Sequence, residues 1–293
     1  MGVNKYSREE KFEIASLYEK GESPKNLALK YGINYSTVFE YLKIFGIKPK
    51  GNTQKIHKCN VGIFKKVDTE EKAYWLGFIA ADGNISKSEL KITLSYKDKD
   101  HLIKFCKFID LQTPIKEINN NGYPAVSINI GSIEMAKDLL NYGITPNKSL
   151  SLKFPDNLDI NLIQHYIRGY FDGDGSAYVK GKYKTPAINF VGNKDFIKCL
   201  SLLIETFCGI ITPIYKHSKS KNVMYAAISG EFRVKIFCDW LYKNESISMT
   251  RKKEVVKSFK TGKRDIKAMN YAGTVGHVSE ETVKKYIENQ KNV

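Results

Sequence analysis

The sequence predicts an α+β protein: two successive αββαββα repeats related by a pseudo-twofold, preceded by a small all-α helix-turn-helix. Three observations carry that prediction. A short apolar run closing in Asp-Gly occurs twice, as Trp75-Leu-Gly-Phe-Ile-Ala-Ala-Asp-Gly83 and as Ile167-Arg-Gly-Tyr-Phe-Asp-Gly-Asp-Gly175, with Asp82 and Asp174 92 residues apart. Behind each run, alternating strand patterns and helical patterns follow in the same order. Residues 7–45, by contrast, show only helical spacing.

The N-terminal stretch reads as three short helices. Ser7-Arg-Glu-Glu10 is a capping box followed by Phe12, Ile14, Ala15, Leu17 and Tyr18. Ser23-Pro24 pairs an N-cap with proline at the first helical position, ahead of Leu27, Ala28 and Tyr31. Gly32-Ile33-Asn34 makes a turn, and residues 36–45 form the third helix. The spacing resembles a helix-turn-helix whose last helix presents Tyr35, Ser36, Thr37, Glu40 and Lys43 to a DNA groove or its phosphates. A plain helical hairpin is the competing reading. From Gly46 to Val67 lysines 48, 50, 55, 58, 65 and 66 appear with no acid before Asp68, which suggests a basic linker able to follow a phosphate backbone through Lys48 and Lys50.

The first repeat continues from Gly83 with strands around 84–88 and 89–95, a helix from Asp98 to Phe108, a hairpin about Asn119-Asn-Asn-Gly122, and a helix from Ile133 to Tyr142. The second follows with strands near 176–179 and 187–191, a helix over 195–207, a hairpin pairing 214–216 with 224–229, and a helix over 232–242. The expected organisation is a helix-turn-helix domain over 1–46, a linker over 47–69, a body over 70–262 split into 70–160 and 161–262, and a basic tail with a short helix over 263–293.

Composition narrows the function. Lysine and arginine number 47 against 31 acids, a net charge of +16, and the isoelectric point is near 9.4. That balance is the footprint of a nucleic-acid binder. The longest apolar or glycine run, Ala73 to Ala81, falls well short of the ~18 residues of a spanning helix. No signal-peptide pattern opens the chain, so a cytoplasmic, nucleoid-associated protein is expected. The five cysteines show no C-x-x-C spacing and are odd in number, which argues against a zinc site or a disulfide framework.

The repeated runs carry the chemistry. Gly77 and Ala81, like Gly169 and Gly173, stand four apart, so each helix has one face of small residues on which a partner can approach closely. Packed together, the helices bring Asp82 and Asp174 side by side at their C-termini. A carboxylate is disfavoured there by the helix dipole, and two together repel unless a cation lies between them. A divalent metal such as Mg²⁺ suits oxygen donors of this kind. The bland reading is that each Asp-Gly merely stops a helix, with glycine in the left-handed conformation.

Both runs resemble the signature helix of the LAGLIDADG homing endonucleases in the two-motif, single-chain form. The lead-ins Glu71-Lys-Ala-Tyr-Trp-Leu-Gly77 and His165-Tyr-Ile-Arg-Gly169 carry the likeness further. The resemblance covers roughly residues 60–260 and implies two four-stranded sheets forming a saddle over double-stranded DNA. It implies that Asp82 and Asp174 hold Mg²⁺, with Mn²⁺ able to substitute, helped by the backbone carbonyls of Ala81 and Gly173. It also implies catalytic lysines: Lys148 in Thr-Pro-Asn-Lys and Lys252 in Thr-Arg-Lys-Lys, with Lys253 the alternative to the latter. On the outward strand faces, Lys87, Lys91 and Thr93 in one half and Tyr178, Lys180, Lys182, Lys184, Asn189 and Lys216 in the other are candidate DNA contacts. Since the halves differ at nearly every such position, an asymmetric site cut by a monomer is expected. A mobile-element setting follows from the family, and a free-standing enzyme is preferred over an intein because no self-splicing flanks are recognisable. A non-cleaving DNA-binding regulator and an intron RNA maturase are the other readings.

The tail adds a second resemblance. Ser279-x-x-Thr282 opens a short helix resembling the tyrosine helix of the small HUH single-strand transposases, with Tyr286 as nucleophile and Gln290 as a metal ligand. Those enzymes need a His-x-His pair, which this sequence lacks. An appended helix packing on the body is the preferred reading, ahead of one that lends Tyr286 to an HUH partner.

Overall fold

The structure is a computed structural model describing residues 6–49, 59–217, 220, 222–259, 281 and 287. The chain divides into two compact units, Met1–Lys55 and Ile56–Val293.

The first unit is three helices, α1 (Arg8–Glu19), α2 (Pro24–Tyr31) and α3 (Tyr35–Ile44). Its ends form as the sequence dictates. Ser7 Oγ accepts from Glu10 N while Ser7 N donates to Glu10 Oε2 at 2.7 Å, and Ser23 Oγ accepts from Asn26 N. Gly32 closes α2 in the left-handed conformation at φ 57°. Ile14, Ala15, Tyr18, Leu27, Val38, Tyr41 and Leu42 form a core of their own.

The second unit contains the two repeats. The first runs α4 (Glu70–Asp82), β1 (Gly83–Ile85), β2 (Glu89–Ser95), α5 (Lys99–Phe108), β3 (Lys116–Asn120), β4 (Tyr123–Gly131) and α6 (Ile133–Asn141). The second runs α7 (Ile163–Asp174), β5 (Ser176–Lys180), β6 (Thr185–Asn193), α8 (Lys194–Cys208), β7 (Ile214–Lys216), β8 (Val223–Ser229) and α9 (Glu231–Leu241). Each repeat is thus αββαββα. The sheets are antiparallel with orders β1-β2-β4-β3 and β5-β6-β8-β7, the same permutation twice. Asn121 and Gly122, both at positive φ, form the two-residue turn between β3 and β4, as an Asn-Gly pair favours.

Alternation decides which sheet face is covered. In β2, Leu90, Ile92 and Leu94 are buried while Lys91 and Ser95 are exposed and Thr93 is half-buried. Helix α4 differs: every residue from Ala73 to Ala81 is buried. A helix apolar on all sides belongs at the centre of a molecule, and α4 packs against α7 there.

Three readings need correction. An additional helix, α10 (Thr250–Lys257), follows α9 where the sequence analysis placed no element; its polar composition hid it, since only Lys252 is buried. Second, the stretch read as a linker is not a free tether throughout. Phe64 and Val67 lie in the main core, Asn60 N donates to Ile109 O, and Val67 N donates to Tyr142 Oη. Third, Gly83 and Gly175 are not left-handed stops: their φ angles are −71° and −78°. A Cβ on Gly83 would sit 2.6 Å from Ile79 Cγ2, and one on Gly175 2.3 Å from Phe171 Cδ2. Glycine is required because the chain turns back tightly over its own last helical turn.

Candidate active site at the paired helix ends

The small-residue faces of α4 and α7 meet backbone to backbone. A Cβ on Gly77 would lie 2.0 Å from Tyr166 O, and one on Gly169 1.9 Å from Tyr74 O, so neither position has room for a side chain. One turn further on, a Cβ on Gly173 would lie 2.3 Å from Ala81 Cβ and 3.4 Å from Asp82 Oδ2. The two C-termini therefore converge, and Asp82 reaches across to the end of α7.

The site's electrostatics follow from that convergence. Asp82 is half-buried and Asp174 more exposed. Burial, and then the charge of Asp174, push the Asp82 carboxyl up to about 6, with Lys252 and Lys148 acting against the rise. Asp174 is raised too, by burial, again opposed by the two lysines. Burial pulls the Lys252 ammonium down to about 8 and lowers Lys148.

Both candidate lysines are at the site. Lys148 Nζ donates to Ala81 O at 2.5 Å. Lys252, from the first turn of α10, donates to Phe171 O, Gly173 O and Gly175 O at 2.7, 2.8 and 2.6 Å. Lys253 instead pairs with Glu245, so of the two neighbours it is Lys252 that touches the end of α7.

The donor set fits a divalent cation. Among the described residues no three His, Cys, Asp or Glu side chains gather in one place, so the oxygens on offer are the two carboxylates and the helix-end carbonyls. Such oxygens suit a hard cation. Two of those carbonyls, Ala81 O and Gly173 O, already hold ammonium groups, which shows that the helix ends draw positive charge.

Behind the acids lies a polar network that the sequence reading missed. Asp172, fully buried, accepts from Tyr74 Oη at 2.6 Å and from Met249 N at 2.7 Å. Burial raises its carboxyl to about 6 despite those bonds. Tyr74 Oη also meets His101 Nε2 at 2.9 Å; since the hydroxyl donates to Asp172, the imidazole donates to the hydroxyl. Arg168, fully buried, donates to Glu70 Oε1 at 2.5 Å, to Ile247 O at 2.9 Å and to Leu241 O at 3.1 Å. The signal was present: an acid and an arginine inside the apolar run 163–174 must find partners or fail to bury.

The remaining candidates are spread over surfaces. Lys91 and Thr93 stand on the open face of the first sheet, where Thr93 Oγ1 meets Ser127 Oγ at 3.0 Å, and Lys87 is exposed in the turn before β2. Tyr178, Lys180, Asn189 and Lys216 line one hollow of about 710 Å³ on the open face of the second sheet. There Asn189 Nδ2 donates to Tyr178 Oη, and Tyr215 stacks on Tyr225 at 5.1 Å. Lys182 and Lys184 are exposed in the β5–β6 turn, outside that lining. In the first unit Tyr35, Ser36, Glu40, Lys43 and Lys48 are exposed and Thr37 half-buried. Lys50, Tyr286 and Gln290 lie outside the described residues. Ile287 of the tail is buried in the main core. No helix among the described residues is long and apolar enough to cross a membrane.

Two matched αββαββα halves thus bring paired acids to the crossing of their central helices. Residues 161–241 match the family model described as LAGLIDADG-like domain. The match covers the second repeat, where the likeness read from Ile167 to Gly175 is thus supported as a LAGLIDADG-like domain. The chain also resembles solved LAGLIDADG enzymes. To I-LtrWI bound to target DNA it is 13% identical over 80% of this chain and 98% of the other, with a TM-score of 0.45. To I-SmaMI bound to cleaved DNA it is 15% identical over 77% and 96%, with a TM-score of 0.45. At these values the architecture rests on the chain's own strands and helices. Two curated proteins of Methanocaldococcus jannaschii are similar over part of their length. DNA-directed RNA polymerase subunit Rpo1C is 30% identical over 137 residues, 46% of this chain and 15% of the relative. Replication factor C small subunit is 25% identical over 204 residues, 67% and 11% respectively. The chain thus spans only a small part of either relative.

Proposed function

We propose that this chain is a site-specific homing endonuclease that makes a metal-dependent double-strand break in a long, asymmetric DNA site. The observation that carries the reading is the convergence of Asp82 and Asp174 at two crossed helix ends, each end touched by a lysine. A non-cleaving regulator has no need of two carboxylates that repel one another and are costly to bury. Asp82 with the Ala81 carbonyl and Asp174 with the Gly173 carbonyl would each hold a divalent cation, which would supply an activated water and stabilise charge on the leaving oxygen. The chain's own part is geometric: α4 and α7 fix the carboxylates, and Lys148 and Lys252 bring cationic groups to where a phosphate would lie. Each half serves one strand, so one chain suffices for both.

The open sheet faces and the three-helix unit supply the DNA contacts in this reading. Lys87, Lys91 and Thr93 address one half-site, and Tyr178, Lys180, Lys182, Lys184, Asn189 and Lys216 the other. The chemistry of the two faces differs, which favours an asymmetric target. Tyr35, Ser36, Thr37 and Lys43 of α3, with Lys48, add affinity. The two curated relatives support a mobile setting: the matched stretches overlap on this chain, at 46% and 67% of its length, yet the proteins carrying them differ in function.

The test is cleavage of a randomised double-stranded DNA library with Mg²⁺, beside an Asp82→Asn/Asp174→Asn variant. We expect the wild type to cut one long asymmetric sequence and the variant to bind that sequence uncut. Equal binding by both proteins with cutting by neither identifies a regulator, and preference for structured RNA a maturase.

A further inference from the structure

The proposed role of Lys252 conflicts with the bonds it makes. An ammonium group has three N–H donors, and Lys252 spends all three on Phe171 O, Gly173 O and Gly175 O. So engaged, it has no donor left for a phosphate or a water. Lys148 makes the same kind of contact more sparingly, with one bond to Ala81 O. The carbonyls concerned include both of those expected to help hold a cation. A divalent ion on Gly173 O would stand within a few ångströms of a second positive charge on the same oxygen, which strongly disfavours joint occupancy.

We propose that Lys148 and Lys252 are exchangeable counter-cations: they neutralise the two helix ends until a divalent cation displaces them, and displacement frees each ammonium to face the phosphate. The inference rests on the metal-dependent reading above and deepens it. The lysines suit this task for a physical reason. Converging helix C-termini with two acids carry excess negative potential, and without a cation the α4–α7 crossing would repel itself at its end. The exchange is unequal. Lys252 is buried and held by three carbonyls, whereas Lys148 is half-buried and held by one. The α4 end therefore accepts a cation more readily than the α7 end, and the two strands of the target become competent for cutting at different cation concentrations.

The experiment is calorimetric titration of the DNA-free, full-length protein with Ca²⁺, an oxygen-seeking probe, for the wild type, Lys148→Met and Lys252→Met. Circular dichroism melts with and without Ca²⁺ accompany it. Removing the competitor should tighten Ca²⁺ binding about tenfold in Lys148→Met, the worth of one charge-assisted hydrogen bond, and further in Lys252→Met. Each variant should melt below the wild type without Ca²⁺ and recover more of that loss when Ca²⁺ is added. Adding Asp82→Asn and Asp174→Asn to Lys148→Met should abolish the gain, and a gain that persisted would overturn the proposal. Should Lys252→Met not fold, Lys148→Met decides the matter alone. Unchanged or weaker Ca²⁺ binding in the folded lysine variants overturns the exchange while leaving the cation site standing. Absence of Ca²⁺ binding from every protein overturns the exchange and counts against metal dependence as well.

Discussion

At the scale of single residues, the protein turns on side chains that are missing. Gly77 and Gly169 let two peptide backbones touch, and a methyl group at Gly169 would overlap Tyr74 O at 1.9 Å. Gly169→Ala must separate α4 from α7, so we expect a loss of about 3 kcal/mol or more, the upper end of overpacking costs, in urea unfolding. His101 offers a test of opposite character. Buried among Tyr74, Trp75 and Phe78, it is held neutral, its basicity lowered to about 3 by burial and then by the charge of Lys104. An unfolded histidine takes up a proton near 6.5, so acidification favours the unfolded chain from there down to about 3. The stability difference between wild type and His101→Gln should therefore shift against the wild type by about 1.4 kcal/mol per pH unit below 6.5. Comparing the two isolates this effect from Asp82 and Asp172, whose raised carboxyls act in the opposite direction over part of that range. A pH-independent difference would show that the imidazole is not held neutral.

At the scale of elements, the polar network holds α4, α7 and α10 in one arrangement. Asp172 binds Tyr74 on α4 and the backbone just before α10, which places Lys252 over the end of α7. Arg251 adds a paired contact to Asp98 of the first repeat, at 2.8 and 2.9 Å. Arg168 joins α7 to Glu70 at the start of α4 and to the segment after α9. Position 76, 92 residues earlier, is leucine, so Arg168→Leu makes the two helices chemically alike. That variant leaves Glu70 with the Ser246 N–H but strips the guanidinium from it and from Ile247 O and Leu241 O, and should cost about 3–5 kcal/mol. In Arg168→Leu/Glu70→Gln part of the loss should return, with a coupling of about 1–3 kcal/mol in a double-mutant cycle. Strict additivity would mean that the ion pair contributes nothing.

At the scale of the whole molecule, two units with separate cores share one chain. The three-helix unit buries its apolar residues in a core of its own, so deletion of residues 1–55 should leave the melting of the remainder unchanged. Binding to the selected DNA should weaken, and the salt dependence of log K should flatten by about 0.9 for each phosphate no longer neutralised. Unchanged affinity and slope would assign the first unit a task other than DNA binding. Ile287 of the tail is likewise buried in the main core.

The sequence by itself determined the class of fold, the helices of the first unit and the repeat. Caps, turns and periodicities are local, and local spacing is what a sequence displays. It also pointed to Asp82, Asp174 and the small residues beside them, because a run closing in Asp-Gly twice in matching contexts is visible without coordinates. Tertiary structure decided the rest. Only the packed molecule showed that the glycines after each acid serve close approach rather than a left-handed turn, that Asp172 and Arg168 find partners in distant segments, and that a polar eight-residue helix carries Lys252 to the end of α7. The last two facts depend on bonds between residues 77 to 98 positions apart, and no local pattern records which distant carbonyl a lysine will meet.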